Sequence, residues 1–458
     1  AWAGTNIRSA NSDFYDITVV GAGPVGLYAA YYSGLRECRT KLLETYPHVG
    51  GRLISMYPEK EIFDVAGHRK IVAAELVREL TEQAMQYTPT VVLNERVTGL
   101  RILDERVIEL VTPAGLHYTQ TVILAVGCGA FVPRKLDIPH LIDFEGNGIY
   151  YFLPSFEPLR GKRVAMEYFP EAAIPALSRV DAGTLELVRG HGVEGVSSAD
   201  LVQRFVCRWR PRQLASHVRA LRAIDDAKDA AFAYVAESHR RGYQPTETQV
   251  QALLMKRFAD AGLATDHPPI VAVNGHAGDP HYVPSEKTPT PVRTGDLLLI
   301  DLWAKGKDPG DVYADITWVG FCGDRPPPKL EEIFRVAAEG RDLGLATVER
   351  AWAEQRTLQG WQVDRAVRDH VAARGFGERF VHRTGHSIGV NVHGDGANLD
   401  DLETHDTREL VEGLAFSIEP GIYLPEEGLG VRTEIDVVMT GEGPKVFSKV
   451  QREIVRVA

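Results

Sequence analysis

Along the first third of the chain, short apolar runs alternate with glycine turns and amphipathic stretches. YDITVV, from Tyr15, is an apolar run of strand length. Gly21, Gly23 and Gly26 follow it, and PVGLYAAYYSGL then has the composition of a helix. RTKLLE reads as a second strand ending at Glu44, which makes residues 14–45 a βαβ unit. Helical periodicity returns in KIVAAELVRELTEQAMQY. TVVLNERVTGLRIL, RVIELVT and LHYTQTVILAVG predict further short strands, so the pattern is α/β to about residue 150. It changes in the aromatic, proline-rich stretch YYFLPSFEPLRGKRVAMEYFP.

Residues 162–206 carry short strand-like pieces and a helix near SADLVQRF. A long helical pattern runs from Pro211 through RQLASHVRALRAIDDAKDAAFAYVAESHRRG. TETQVQALLMKRFADAG predicts a second helix with Thr246 as its N-cap. PPIVAVNG and DLLLIDLWAKG contain strands. Two more helices follow, in PKLEEIFRVAAEGRDLGLATVERAW and VDRAVRDHVAARG. The end of the chain predicts strands in GVNVHG, LAFSIEPGIYLP, GVRTEIDVVMT and VFSKVQREIVRV. A helix pair followed by strands, twice over, hints at an internal duplication.

Composition narrows the function classes. The 458 residues are 44% hydrophobic and 25% charged, as in an ordinary globular protein with room for two or three domains. A net charge of −11 argues against a nucleic-acid or anionic-membrane surface. No apolar run reaches transmembrane length. The first residues lack the charged and apolar regions of a signal peptide, and the absence of an initiator Met suggests a fragment, a processed form or a tagged chain. Cys38, Cys128, Cys207 and Cys322 form no CxxC pair, which argues against a disulfide scaffold, a zinc ribbon or a dithiol centre. The expected location is cytoplasmic.

The glycine turn carries the first chemistry. Gly21 permits a tight turn, Gly23 lets a pyrophosphate approach the backbone, and Gly26 lets helix and strand pack closely. The free N–H groups at the helix start favour an anion. Glu44, 18 residues after Gly26, ends the next strand where an acceptor for ribose hydroxyls belongs. With ETYPHVGGRL, YPEKEIFDVAGH and VILAVGCGAFVPRKL added, residues 14 to about 151 resemble the N-terminal part of a ferredoxin–NADP reductase of the thioredoxin-reductase-like kind. The resemblance implies FAD contacts from Gly21, Gly23, Gly26, Glu44, Gly51, Tyr57, Val97, Gly127 and Phe131. Arg52 stands where that family carries Gln. After GKRV the resemblance stops. No second glycine motif for NADP follows, nor the segment that closes the flavin pocket, so a half-site is expected in which turnover as a reductase is not favoured.

The C-terminal part points elsewhere. Asp301 in LLLIDLW, Asp315 in VYADITW, His386 in GHSIG, Glu419 in SIEPGIY and Glu434 in VRTEIDV are four carboxylates and an imidazole, a donor set for hard or borderline divalent ions, often paired. In this order they resemble the pita-bread metallopeptidases: Xaa-Pro aminopeptidases and dipeptidases, methionine aminopeptidases and creatinase. The resemblance implies that these five bind two divalent metal ions, with Mn2+ favoured over Co2+ and Zn2+. It also implies that His281, His382 and His393 bind the scissile carbonyl or the proline side and move protons, and that Arg432 lies near the metals. Glu419 is the expected general base for the attacking water, and a histidine would stabilise the oxyanion.

The expected function is metal-dependent hydrolysis of short peptides at Xaa-Pro bonds. The alternatives are an FAD-dependent reductase or a chimeric chain, joined near LRGKRVAMEY, with neither activity. A short peptide is the expected partner, with a homodimer as the oligomer to test. Trp318, where the family has Arg, and the insertion KGKDPGD between the two aspartates depart from the pattern. The expected fold class is α/β and α+β. Residues 1–13 are disordered or tag-like and 14–160 form a partial FAD-binding Rossmann-like domain. Residues 161–210 are a remnant of the creatinase-type N-terminal domain with a linker, and 211–458 form the pita-bread catalytic domain.

Overall fold

The computed structural model describes residues 14–129, 141–145, 149–151, 153 and 156–457. Residues 1–13, for which a disordered or tag-like segment is expected, and Phe131, an expected flavin contact, lie outside the described residues. The chain divides into two compact units, Ala1–Gly161 and Lys162–Ala458.

In the first unit, β1 (Phe14–Val20), β2 (Thr40–Leu43) and β3 (Thr90–Val92) are parallel. β4 (Gly99–Asp104), β5 (Val107–Val111) and β6 (Leu116–Leu124) extend the same sheet in the order β3-β2-β1-β6-β5-β4. The β6 strand is parallel to β1, while β5 and β4 are antiparallel additions. Helix α1 (Pro24–Leu35), the short α2 (Gly51–Met56) and α3 (Ala73–Met85) complete the unit. Proline at the first helical position suits α1, because that N–H would have no helical partner. Val19, Ala22, Leu27, Ala30, Leu42, Val77 and Ala84 form the core between sheet and helices.

In the second unit, β7 (Arg163–Met166) and β8 (Glu194–Ser197) form a small parallel pair joined through α4 (Ala182–Gly190). Helix α5 (Pro211–Arg240) and α6 (Glu247–Asp260) pack on an antiparallel sheet of β9 (Ile270–Val273), β10 (Leu297–Gly306) and β11 (Ala314–Phe321). Thr246 caps α6, its side chain accepting the N–H of Gln249. A second helix pair, α7 (Pro328–Ala353) and α8 (Gly360–Ala373), precedes β12 (Ala415–Ile418), β13 (Gly421–Leu424), β14 (Leu429–Arg432), β15 (Ile435–Thr440) and β16 (Gly443–Val446). Among them, β12-β15-β16 form one sheet, and β13 and β14 pair as a hairpin.

Register decides what faces the site. Asp301 pairs with Thr317 and Trp303 with Asp315 across β10 and β11, so all four share one face. Trp318 points to the other face, where fully buried Lys228 on α5 lies 3.4 Å from the centroid of its ring. Asp225 and Asp229 balance that ammonium, each at 3.1 Å. The residue that departs from the pita-bread pattern is therefore absorbed by a cation–π contact on the helix side. One expected element does not form: GVNVHG is a turn-rich loop rather than a strand. Its backbone is held locally, Gly389 N–H donating to Asn391 O at 3.0 Å and Gly394 N–H to Ser387 O at 2.7 Å.

Candidate metal centre and nucleotide cavity

Asp301 and Asp315 come from adjacent strands, Glu419 from the turn between β12 and β13, and Glu434 from the junction of β14 and β15. His386 is brought in by two bonds to Ser417: its N–H donates to the Ser417 side-chain Oγ at 3.0 Å, and its carbonyl accepts the Ser417 backbone N–H at 2.9 Å. The result is a buried cluster. Asp315, His386 and Glu434 each offer a ligand atom, and these atoms all lie within 4.8 Å of one another. His386 Nε2 is 3.6 Å from Asp315 Oδ2 and 3.3 Å from Glu419 Oε1. Its Nδ1–H donates to the Ser387 carbonyl at 3.1 Å, which leaves the Nε2 lone pair directed at the carboxylates.

Thr317 joins the other side of the cluster. Its hydroxyl lies 3.0 Å from Asp301 Oδ1 and 2.8 Å from Glu434 Oε2, and accepts from Arg432 Nε at 3.1 Å. Arg432 forms an ion pair with Asp301 and also donates to the Tyr423 hydroxyl at 3.3 Å and the Pro280 carbonyl at 3.4 Å. Tyr423 in turn lies 2.8 Å from His382 Nε2. Because His382 Nδ1–H donates to the Arg383 carbonyl at 2.8 Å, Nε2 accepts the tyrosine proton.

Packing acids together out of water costs free energy unless cations or protons compensate. Burial pushes Asp315 up to about 7 against the pull of His386. Burial, reinforced by Asp315, Glu419 and Asp301, drives Glu434 well above the usual carboxylate range. Burial alone would also raise Glu419, but His386 and Arg432 hold it below its ordinary value. Burial alone would lower His386; Asp315 and Glu419 hold it above. His382 and His393 are both pushed down to about 4 by burial, so they are neutral at neutral pH. His393 stands edge-on to His386 with ring centroids 4.3 Å apart and keeps an exposed side. His281 is exposed on the loop after Pro280, whose carbonyl accepts from Arg432 of the cluster, and its backbone N–H donates to Asp279 Oδ1 at 2.9 Å.

The first unit holds a separate cavity of about 660 Å³ against the glycine turn. Its wall includes Gly21, Gly23, Glu44, Gly51, Val97 and Gly127. At Gly21, φ is +100° and an added Cβ would lie 2.4 Å from the Ala125 carbonyl oxygen; at Gly26 it would lie 1.8 Å from the Gly21 oxygen. A Cβ at Gly23 would meet nothing within 4 Å, so that glycine faces open space. Glu44 is buried and accepts the N–H groups of Ala22 at 2.7 Å and Tyr46 at 3.0 Å, which fixes the strand end against the turn. Tyr57, expected among the flavin contacts, instead caps α2 half-exposed and is not part of the wall. Arg52 closes the far side, donating from Nε to the Gly129 carbonyl at 3.2 Å.

Residues 219–441 match the family model of metallopeptidase family M24, and residues 19–117 that of an NAD(P)-binding Rossmann-like domain. The chain is composite. A Rossmann-like domain is followed by a pita-bread fold. The composite chain is similar to the dipeptidase PepE from Mycobacterium ulcerans, with a TM-score of 0.51 and 28% identity over 65% of this chain and 71% of that one. Ferredoxin–NADP reductases from Geobacillus thermodenitrificans and Geobacillus kaustophilus are 43% and 45% identical to it over 150 residues, 33% of this chain and 45% of each reductase. The composite chain thus spans less than half the length of those reductases. Thr317, Tyr423 and Asp436 were not among the residues singled out from sequence. Two of them carried a signal, since Thr317 and Asp436 each stand two residues after a candidate ligand.

Proposed function

We propose that the pita-bread unit is a metal-dependent peptidase that cleaves short peptides at Xaa-Pro bonds with two divalent ions, Mn2+ first among Mn2+, Co2+ and Zn2+. The observation that carries this reading is the buried Asp315–His386–Glu434 group, in which Asp315 Oδ1 and Glu434 Oε1 have no hydrogen-bond partner among the described residues. Buried carboxylate oxygens left unpaired are costly, and cations satisfy them. These three residues fit one ion, and Asp301 and Glu419 fit the sharing of a second.

Divalent ions bound there would supply Lewis-acid polarisation of a carbonyl and an activated water. The chain's own groups supply the rest. Glu419, held below the usual carboxylate range, is ionised and able to take a proton from water. Arg432 holds Asp301 and Tyr423 in place at once. Neutral His382 draws the Tyr423 proton toward itself, and His393 borders the cluster with its exposed side free to meet a substrate.

The test is hydrolysis of Ala-Pro and Gly-Pro peptides by the full chain, with proline-free peptides as controls, after chelation and after return of Mn2+. The reading requires loss on chelation, recovery with Mn2+ and preference for proline. A metal-loaded protein that cleaves neither class ends it. A second reading, flavin-dependent oxidoreduction, is supported by the cavity on the glycine turn and the reductase-like first third. A flavin absorption band with NADPH oxidation would establish it.

A further inference from the structure

Behind the candidate ligand Asp315 lies a fully buried pair that belongs to neither reading's catalytic groups. Asp436 on β15 and His217 on α5 both have 0% relative exposure. Asp436 Oδ2 accepts the backbone N–H of Asp315 at 2.8 Å. His217 Nδ1–H donates to the backbone carbonyl of Tyr313, two residues earlier on the same chain segment, at 2.8 Å. The two side chains face each other, with His217 Nε2 3.8 Å from Asp436 Oδ2. Neither His217 Nε2 nor Asp436 Oδ1 has a hydrogen-bond partner among the described residues. Trp209 closes the pair on one side, its ring 4.9 Å from that of His217.

We infer that Asp436 and His217 are positioning residues that clamp the backbone of residues 313–315 from behind, so that the Asp315 carboxylate is presented to a metal ion in a fixed place. The inference rests on the proposed metal site. The geometry supports it in three ways. The clamp grips backbone rather than side chain, so it constrains where Asp315 begins without competing for its carboxylate oxygens. It draws on α5 and β15, so it links the helix layer to the strand that follows Glu434, a second candidate ligand. And it holds two fully buried polar atoms without a hydrogen-bond partner among the described residues, an arrangement that packing alone does not favour. Partners of this kind behind a metal ligand typically alter metal affinity 10–100-fold when removed.

The experiment measures Mn2+ binding to the full chain by calorimetry, and records the visible absorption of the Co2+-loaded protein, for the unaltered chain, Asp436→Ala, Asp436→Asn and His217→Phe. Asn keeps an acceptor for the Asp315 N–H, whereas Ala and the phenyl ring each remove one arm of the clamp. Asp436→Ala is expected to bind Mn2+ 10–100-fold more weakly and to shift the Co2+ bands. Asp436→Asn should stay within about threefold of the unaltered chain. If Asp436→Ala does not fold, His217→Phe decides, with weaker Mn2+ binding and shifted Co2+ bands required. Unchanged affinity and spectrum in the folded clamp variants overturn the inference, as does Asp436→Asn binding as weakly as Asp436→Ala. Absence of Mn2+ binding by the unaltered chain fails the metal reading itself, a different result from equal binding by all variants.

Discussion

Thr317→Val tests how the acidic cluster is held together. The two side chains have nearly the same shape, so the change removes little except a hydroxyl, at a position with 0% exposure. That hydroxyl has one proton and three neighbours: Asp301 Oδ1 at 3.0 Å, Glu434 Oε2 at 2.8 Å and the Arg432 Nε donor at 3.1 Å. It donates to one carboxylate at a time and accepts from Arg432, so two charge-assisted bonds are lost. Each such bond contributes about 1.5–3 kcal/mol, and the buried donor left on Arg432 finds Glu419 Oε2 only at 3.7 Å. The metal-free protein should therefore lose about 3–6 kcal/mol, a fall in Tm of roughly 5–10 °C for a unit of this size. Thr317→Ser is the control: it keeps the hydroxyl, and its missing methyl should cost about 1 kcal/mol. Urea unfolding and thermal melts with EDTA, repeated with Mn2+, give the comparison. The Val deficit should shrink with Mn2+, because a cation satisfies the carboxylates that the hydroxyl no longer reaches. A Val variant within 1 kcal/mol of the unaltered chain under EDTA would refute the reasoning.

Other expectations follow from the same geometry. Burial raises Asp315 to about 7 in the metal-free protein, so its share of stability is complete below the usual carboxylate value and is lost as pH rises through about 7. Mn2+ needs the ionised carboxylate, so affinity should weaken below pH 7 and binding should release a proton, read by calorimetry in buffers of different ionisation heat. Tyr423→Phe removes the donor to His382 Nε2 and should lower kcat roughly tenfold with an unchanged circular dichroism spectrum. Buried Glu247 accepts Val273 N–H at 2.8 Å, His276 at 2.9 Å and the Tyr282 hydroxyl at 2.6 Å, so Glu247→Gln should cost about 2 kcal/mol and speed hydrogen exchange across residues 273–282.

Local periodicity made much of the fold legible. PVGLYAAYYSGL is helical over Pro24–Leu35, and the Thr246 cap forms because its cause lies within four residues of chain. GVNVHG failed for a local reason too. Its alternating valines imitate a strand, but glycines at both ends let the backbone close hydrogen bonds upon itself, and Val390 is exposed. The candidate ligand set came only from a resemblance, since an Asp in an apolar strand carries no sign of its partners. Thr317, Tyr423, His217 and Asp436 escaped because their contacts are long-range. Thr317 meets Glu434 across 117 residues, and Asp436 meets Asp315 across 121. Nothing in a single sequence encodes which strands will lie side by side at that separation. The flavin contact that the reductase resemblance implies for Tyr57 concerns a side chain that stands half-exposed at the end of α2.

Among the described residues, those lining the cavity at the glycine turn lie between Val20 and Gly129, and all five candidate ligands lie between Asp301 and Glu434. A substitution that acts locally must then affect one ligand and spare the other. Gly26→Val sets a branched side chain against the Gly21 carbonyl, where even a Cβ would lie 1.8 Å away, so the turn must open and the cavity lose its shape. Flavin added to the purified variant should bind at least tenfold more weakly than to the unaltered chain, while Mn2+ affinity stays the same. Thr317→Val should leave flavin affinity the same and shift Mn2+ affinity toward tighter binding, in line with the smaller stability deficit expected with Mn2+. If Gly26→Val also abolished Mn2+ binding, the two units would share one cooperative unfolding transition, and the loss of either activity would report global stability rather than a site.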